Sequence, residues 1–236
     1  MPPARVLVAP AHSYPTGAVL SPARRGQLVA WARQHDALII EDDYDAEFRY
    51  DRAAVGALQG LAPDHVVYAG CASKTLSPAL RLGWLAAPDT LIDELAREKA
   101  FDDLGSGLLE QLALARLIDS GDFTRHLRRV RPPYRARRDA ALQAVADHLP
   151  DATPTGIDAG LHLYLRLPDR CHEIALIDVA RNRGVHVEGA AWHWADPDSA
   201  PPALVLGYGS QTEPAIRRGV ATLGQVYREV SWSARA

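Results

Sequence analysis

The sequence predicts an α/β fold with a mostly parallel sheet, followed by a small α+β domain. In the first half, short apolar segments alternate with segments of helical periodicity, which is typical of parallel strands joined by helices. Beyond residue 150 the pattern changes, since residues 160–167 alternate as in a half-exposed strand. The chain has 236 residues, enough for one large domain or two small ones, each with a buried core.

Four short strands are predicted in the first half, since each is a brief apolar run bounded by polar or turn-forming residues. They comprise residues 6–9, 38–40, 66–69 and 82–86. A first helix begins at Ser21 and Pro22, because serine is a favoured N-cap and proline suits the first helical position. Further helices are predicted over residues 89–101, 108–120 and 123–149. Gly121 is expected to cap the second of these three, and Pro132 and Pro133 are expected to kink or break the third.

The small domain is predicted to contain three strands and two helices. The strands comprise residues 160–167, 185–188 and 204–208, and the helices comprise residues 173–183 and 214–226. We therefore expect a partial large domain over residues 1–122, a connecting helix over 123–150 and a small α+β domain over 151–236.

Composition excludes several classes of protein. The 26 Lys and Arg residues nearly balance the 29 Asp and Glu residues, so the net charge of −3 gives no general attraction to nucleic acid or anionic membranes. The sequence contains no stretch of 18 apolar residues, so no membrane span is predicted. The apolar run before Pro10 is too short for a signal peptide. Cys71 and Cys171 lack C-x-x-C spacing, which favours a reducing compartment. We therefore expect a cytoplasmic protein without membrane contact.

Polar residues follow three successive strands of the predicted sheet, where ligands of parallel sheets bind. These groups are residues 14–17, 41–45 and 73–83. Together they supply an acid, phenols, a lysine and an arginine with hydroxyls. Such groups hold an aromatic aldehyde phosphate, because the acid keeps a ring nitrogen protonated, the amine forms an imine, and arginine and serine bind phosphate. Lysine chemistry has two candidates, since Lys74 and Lys99 are the only lysines in the sequence.

Three strings within these groups carry a family resemblance. They are P-A-H-S-Y-P-T-G at residues 10–17, I-I-E-D-D-Y-D-A-E-F-R-Y at 39–50, and S-K-T at 73–75 followed by Arg81. They closely resemble the aminotransferase-like domain of MocR-type regulators of the GntR superfamily, which is similar to class I and II aminotransferases. The resemblance covers nearly the whole chain. It implies the PLP-dependent transferase fold (fold type I), as the C-terminal half of the large domain plus the small domain, with pyridoxal 5′-phosphate (PLP) as cofactor.

The resemblance implies a role for each matching residue. Lys74 matches the catalytic lysine that holds the cofactor as a Schiff base, whereas Lys99 is expected on the surface. Asp42 matches the acid that pairs with the pyridine nitrogen, and Tyr44 matches the phenol that hydrogen-bonds the ring oxygen.

Further positions concern the phosphate and the substrate. Ser73 and Arg81 match phosphate ligands, while Cys71 replaces the usual Ser or Thr, so one phosphate hydroxyl is expected to be missing. Tyr14 matches a cofactor-binding position that is asparagine in ordinary class I aminotransferases and commonly aromatic in the regulators. Val205 takes the place of the arginine that grips the substrate α-carboxylate, which argues against ordinary transamination of α-amino acids.

Other interpretations of the same residues stay open. Two sets of side chains are alternative metal sites: Asp42, Asp43 and Asp45, or His186, Glu188 and His193. A run of arginines is predicted as a solvated helix face rather than a nucleic-acid site; it comprises Arg125, Arg128, Arg129, Arg131, Arg135, Arg137 and Arg138. No G-x-S-x-G or Walker A motif is present, which disfavours a serine hydrolase and a P-loop NTPase.

No segment of the sequence resembles the first half of the family's aminotransferase-like domain or the winged-helix domain of the regulators. DNA binding by this chain alone is therefore not expected. A sheet without its neighbouring strands exposes backbone groups and apolar surface, which favours a homodimer or an insoluble product. Three functions remain: an aminotransferase-like enzyme, a module that senses a small amine or amino acid, or a truncated or split piece without independent cofactor binding. The sensing module is favoured over catalysis by Val205 and by the regulator-like strings.

Overall fold

A computed structural model describes residues 4–50 and 56–233 of the chain, without the side chains of residues 231–233. These residues form two compact units. The first unit comprises the chain up to Ser13 and Ala18–Arg129, and the second comprises Tyr14–Gly17 and everything from Val130 onward. The division falls inside a long helix, and the domain boundaries expected at residues 122 and 150 stay predictions.

The first unit contains a four-stranded sheet in the order β1-β2-β3-β4. The strands are β1 (Arg5–Val8), β2 (Leu38–Asp43), β3 (Val66–Cys71) and β4 (Gly83–Ala86). β1, β2 and β3 are parallel, and β4 runs antiparallel to β3. The predicted α/β fold with a mostly parallel sheet is therefore confirmed.

β2 is longer than predicted, because it continues through the acidic residues that follow its apolar part. The prediction ended this strand at residue 40, whereas the parallel ladder with β3 extends to Asp43. Glu41 is only 2% exposed, and its carboxylate accepts hydrogen bonds from the backbone N–H groups of Leu58 at 2.8 Å and Gln59 at 3.0 Å. These bonds offset the cost of burying a charge inside the strand.

The first unit also contains helices. Among the described residues there are four α-helices, numbered in chain order, and the last one continues into the second unit. They are α1 (Pro22–Gln34), α2 (Asp89–Asp103), α3 (Leu108–Asp119) and α4 (Asp122–His148). Ser21 caps α1 as predicted, since its hydroxyl oxygen accepts from the backbone N–H of Arg24 at 3.3 Å. Gly121 has a φ of +73° just beyond α3, as expected of a C-terminal cap.

The two prolines do not break α4, because the helix continues through Pro132 and Pro133, and the other expected outcome, a kink, stays a prediction. Each proline removes one helical N–H donor, but the helix gains stability from tertiary packing further along. Ala141, Ala144 and Val145 of α4 are each at most 2% exposed in the core of the second unit. Packing of one face therefore outweighs the local loss of hydrogen bonds.

The second unit contains a four-stranded antiparallel sheet in the order β5-β6-β8-β7. Its elements are β5 (Thr153–Thr155), β6 (His162–Arg166), α5 (Glu173–Asn182), β7 (Glu188–Gly189), β8 (Ala203–Gly207) and α6 (Glu213–Ser233). β5 was not predicted, and β7 shares only Glu188 with the predicted strand at 185–188. Val185 and Val187 pack against the apolar core instead of extending the ladder.

The two units bury different amounts of apolar side chain. In the second unit, α4, α5 and α6 enclose a core with β6 and β8 that includes Leu165, Leu176 and Leu204, all fully buried. The smaller core of the first unit lies between α1 and the sheet, around Ile39 and Val66. By contrast, α2 and α3 contain no buried residue.

Within the described part of the chain, no helix combines the length and apolar character needed to cross a membrane.

Candidate functional site

The ends of β2 and β3 place two predicted site residues at the same edge of the first sheet. Asp42 lies near the end of β2, level with Ala69 of the parallel strand β3. β3 ends at Cys71, three residues before Lys74, whose side chain is exposed. This edge, where parallel strands end in polar loops, is the usual place for a ligand in an α/β sheet.

Asp42 lies in an acidic neighbourhood. Partial burial raises the pKa of its carboxyl group, and the negative charges of Asp43 and Asp45 raise this pKa further. Burial also raises the pKa of Asp43, although the Tyr68 hydroxyl donates to its Oδ2 atom at 2.9 Å and opposes the shift. A cation beside Asp42 is therefore favoured, since an opposite charge stabilises an ionised carboxylate.

Tyr44 follows β2 and contacts a buried pair of polar side chains. His12 and Asp45 are each 3% exposed, and the Nδ1 atom of His12 lies 2.8 Å from Oδ2 of Asp45. The Tyr44 hydroxyl lies 3.3 Å from the same Nδ1 atom. The phenol therefore lies next to this buried pair, and because Nδ1 donates to Asp45 it offers the Tyr44 oxygen at most a shared proton. Sequence reasoning did not single out His12 for any role, although it lies in the first of the three strings.

A backbone hydrogen bond brings the predicted phosphate ligands near each other. The N–H of Ala72 donates to the carbonyl oxygen of Leu82 at 3.0 Å. Ser73 and Arg81 are the chain neighbours of these two bonded residues, so their backbones lie side by side at the start and end of the loop. Arg81 has a φ of +52°, and its side chain is exposed. The two predicted phosphate ligands therefore start from neighbouring stretches of backbone, which is compatible with both binding one phosphate.

Tyr14 belongs to the second unit, whereas Asp42, Tyr44, Ser73, Lys74 and Arg81 belong to the first. The Tyr14 hydroxyl donates to Oε2 of Glu188 at 2.8 Å, and Nε2 of His193 lies 3.3 Å from the other oxygen. The Tyr14 ring stands edge-on to His162 and His193, with centroid distances of 4.9 and 5.1 Å. Burial and the bonded, negatively charged Glu188 raise the pKa of Tyr14 to about 12. Tyr14 is thus a neutral donor at neutral pH.

Val205 lies on β8 with its side chain in a small apolar cluster. It is 5% exposed and packs with Tyr164, Ala190 and Ala203. Its register partner on β7 is Glu188. At the position predicted to replace the arginine that grips a substrate α-carboxylate, the chain therefore has an apolar side chain next to an acidic one.

The alternative metal sites do not form among residues 4–50 and 56–233. Neither Asp42, Asp43 and Asp45 nor His186, Glu188 and His193 come together at distances that fit one metal ion. Lys99 is exposed as expected and pairs with Asp103 at 2.5 Å.

The arginine run is not a single solvated face, so this expectation is wrong for its last two members. Arg138 is 8% exposed and forms an ion pair with Asp158. Arg137 donates to the carbonyl oxygen of Gly209 at 2.5 Å, and its guanidinium lies 5.1 Å from the Tyr134 ring centroid. These arginines are used for packing inside the second unit.

Known proteins resemble this chain in sequence and in fold. The family described as aminotransferase class I and II matches residues 2–191. The chain is 36% identical over 212 residues to the HTH-type pyridoxine biosynthesis transcriptional regulator PdxR of Corynebacterium glutamicum, covering 90% of this chain and 46% of the regulator. It is 32% identical over 229 residues to the probable rhizopine catabolism regulatory protein MocR of Rhizobium meliloti, covering 95% and 46%. The kynurenine aminotransferase of Pyrococcus horikoshii matches with a TM-score of 0.89 at 26% identity, covering 96% of this chain and 56% of the enzyme.

The sheet, the polar loops at its edge and the structural match show that the chain has the fold of the PLP-dependent transferases of fold type I. The chain belongs to the aminotransferase class I and II family. The resemblance to MocR-type regulators is confirmed by the two regulators above, and the chain spans about half their length. This family and fold imply pyridoxal phosphate as the cofactor.

Proposed function

We propose that this chain is a PLP-binding effector domain of the MocR type, which attaches the cofactor covalently at Lys74 and senses a small amine or amino acid. The observation that carries the proposal is the placement of Asp42 and Lys74 at the ends of adjacent parallel strands. The raised pKa of Asp42 adds support, because a protonated pyridine nitrogen is the cation that would relieve it.

The remaining side chains supply the donors that the cofactor needs. Ser73 and Arg81 would hold the phosphate, and the hydroxyl of Tyr44, next to His12, would face the ring oxygen. That Tyr14 binds the cofactor stays a prediction. When bound, the cofactor supplies an electron-withdrawing aldehyde that reacts with amines.

Sensing is favoured over transamination by the second unit. Val205 offers no charge to a substrate carboxylate, and Glu188 beside it repels one. A second candidate function, a piece of a larger protein without cofactor binding of its own, is supported by the match to only 46% of the regulators' length.

The test is the visible absorbance of purified protein with added PLP, followed by borohydride reduction and peptide mapping. We expect one label per chain on Lys74, loss of label in Lys74→Ala, and full labelling in the matched control Lys99→Ala, whose lysine is exposed and paired with Asp103. Labelling of both lysines alike, or of neither, would contradict cofactor binding by this chain and favour the second candidate.

We also propose that the protein forms a homodimer in which a second copy covers α2 and α3. Proteins of this fold are typically homodimers. Phe101 on α2, Leu104 directly after it and Leu109 on α3 are 79%, 93% and 78% exposed, which is unusual for large apolar side chains so near one another in the sequence. Light scattering should report a dimer for the wild type and a monomer for Leu109→Glu. The control Ile174→Glu, at a position 75% exposed on α5, should stay dimeric; a wild-type monomer would refute the interface.

Two further proposals concern location and nucleic acid. The two cysteines are free in the structure, which supports a cytoplasmic location. Because Arg137 and Arg138 are engaged within the second unit, we propose that the chain alone does not bind DNA. A sequence-specific, salt-sensitive gel shift would contradict this.

A further inference from the structure

The loop that carries Lys74 is tied to α4 by a histidine outside the recognised strings. His126 lies in the second turn of α4, and its Nε2 atom is 2.8 Å from the carbonyl oxygen of Thr75. A carbonyl oxygen only accepts, so Nε2 carries the proton and donates. Thr75 is 3% exposed, and a buried carbonyl depends on such a donor.

Lys74 sits inside the turn that this histidine holds. The N–H groups of Leu76 and Ser77 donate to the carbonyl oxygen of Ala72 at 2.9 and 3.2 Å, which closes a tight turn around Lys74. The upstream end of this turn is fixed beside β4, because the N–H of Ala72 donates to the carbonyl oxygen of Leu82, the residue before β4. The downstream side of the turn is fixed by His126, which holds the carbonyl of Thr75, the residue after Lys74.

The surroundings of the His126 ring also place α4 against the turn that contains Lys74. The imidazole is half-buried, and with Leu76, Leu117 and Phe123 it lines a cavity of about 350 Å³. α4 therefore lies directly against the downstream half of the turn. Loss of the imidazole would leave the Thr75 carbonyl buried without this donor, and the turn would lose a contact that links it to another element.

We propose that His126 is a positioning residue that holds the turn and so sets where the Lys74 amine stands for covalent attachment of the cofactor. His126 itself does not touch the cofactor. The inference rests on the proposed function of Lys74, and it adds a contact between α4 and the lysine loop as a determinant of cofactor affinity.

The first test compares PLP affinity in three variants. His126→Leu removes the donor, and we expect its dissociation constant to rise about tenfold, the equivalent of 1.4 kcal/mol. His126→Gln keeps an N–H donor and should stay within about threefold of the wild type. The matched control His65→Leu breaks another contact between an imidazole and a carbonyl, 3.3 Å from Ala37, and should change affinity by less than about twofold. Equal weakening in His126→Leu and His65→Leu, or no weakening in His126→Leu, would overturn the proposal.

A second readout needs no cofactor. Amide hydrogen exchange of the cofactor-free protein should speed up about tenfold at Leu76 and Ser77 in His126→Leu but not in His65→Leu. If the wild type fails to bind PLP, the proposed function fails, and this exchange experiment still decides whether His126 holds the turn. Unchanged exchange at both amides would refute the positioning role whatever the cofactor does.

Discussion

The two units of this chain differ in how completely they enclose their secondary structure. The second unit packs α5, α6 and the end of α4 onto one face of an antiparallel sheet, with fully buried side chains such as Leu176 and Leu204. In the first unit, α1 packs on the sheet, whereas α2 and α3 bury no residue at all. The second unit is therefore stabilised mainly by its apolar core, whereas the first depends more on polar contacts, and its helices α2 and α3 are the surface that we propose a second copy covers.

Five of the six predicted site residues belong to the less enclosed unit, where hydrogen bonds fix the loops. Glu41 holds the backbone at Leu58 and Gln59, and His126 holds Thr75. Such contacts position loops at an edge that must stay open to a ligand. Three changes test this comparison, in order of decreasing effect.

Leu176→Ala should lower the free energy of unfolding of the second unit by about 3 kcal/mol, since it removes a fully buried side chain and leaves a cavity. Urea denaturation followed by circular dichroism measures this loss. The control Ile174→Ala lies on the same helix at 75% exposure, and Leu108→Ala lies on α3 at 66% exposure. Both should stay within about 0.5 kcal/mol of the wild type when measured on the monomer. A large loss in Leu108→Ala would mean that α3 is packed within the first unit.

Glu41→Gln should destabilise the first unit by about 2 kcal/mol. The buried carboxylate accepts two backbone hydrogen bonds, and an amide replaces one acceptor oxygen with a donor that faces an N–H group. Thermal unfolding of the first unit provides the measurement. Glu94→Gln, on the exposed surface of α2, serves as the matched control and should have no effect. If both variants melted with the wild type, polar contacts would not hold this unit together.

Asp42→Asn should have a small effect of the opposite sign, a gain of about 0.5 kcal/mol at neutral pH in the cofactor-free protein. The folded-state pKa of Asp42 is raised, so its ionised form costs stability at neutral pH, and this cost disappears as the pH falls through the raised pKa. The gain should therefore vanish in acid. Thermal melts from pH 7 down to pH 3, with Asp64→Asn as a surface control, measure it.

The same Asp42→Asn variant should bind PLP more weakly than the wild type, because it removes the carboxylate proposed to pair with the ring nitrogen. A stability gain together with weaker binding is the result expected of a site residue. Weaker binding without the gain would show that the acidic neighbourhood does not strain Asp42.

Much of the fold could be predicted because its signals are local. The apolar runs of β1, β2 and β3, the Ser21 cap and Gly121 all depend on neighbouring residues, and the structure confirms them. The short strands β5 and β7 had no such signal, since three and two residues pair only where a neighbouring strand is present. The placement of Asp42, Lys74 and Arg81 was suggested by motifs, whereas nothing in the sequence marked His126.

By itself, the sequence determined the alternation of strands and helices, the family and the residues offered for chemistry, because periodicity, caps and motif strings are properties of short segments. Tertiary structure alone decided that α4 runs through two prolines, that Glu41 is buried, and that His126 meets the Lys74 loop. Each of these outcomes depends on contacts between residues distant in the chain, whose free energy outweighs local preference only once the chain has folded.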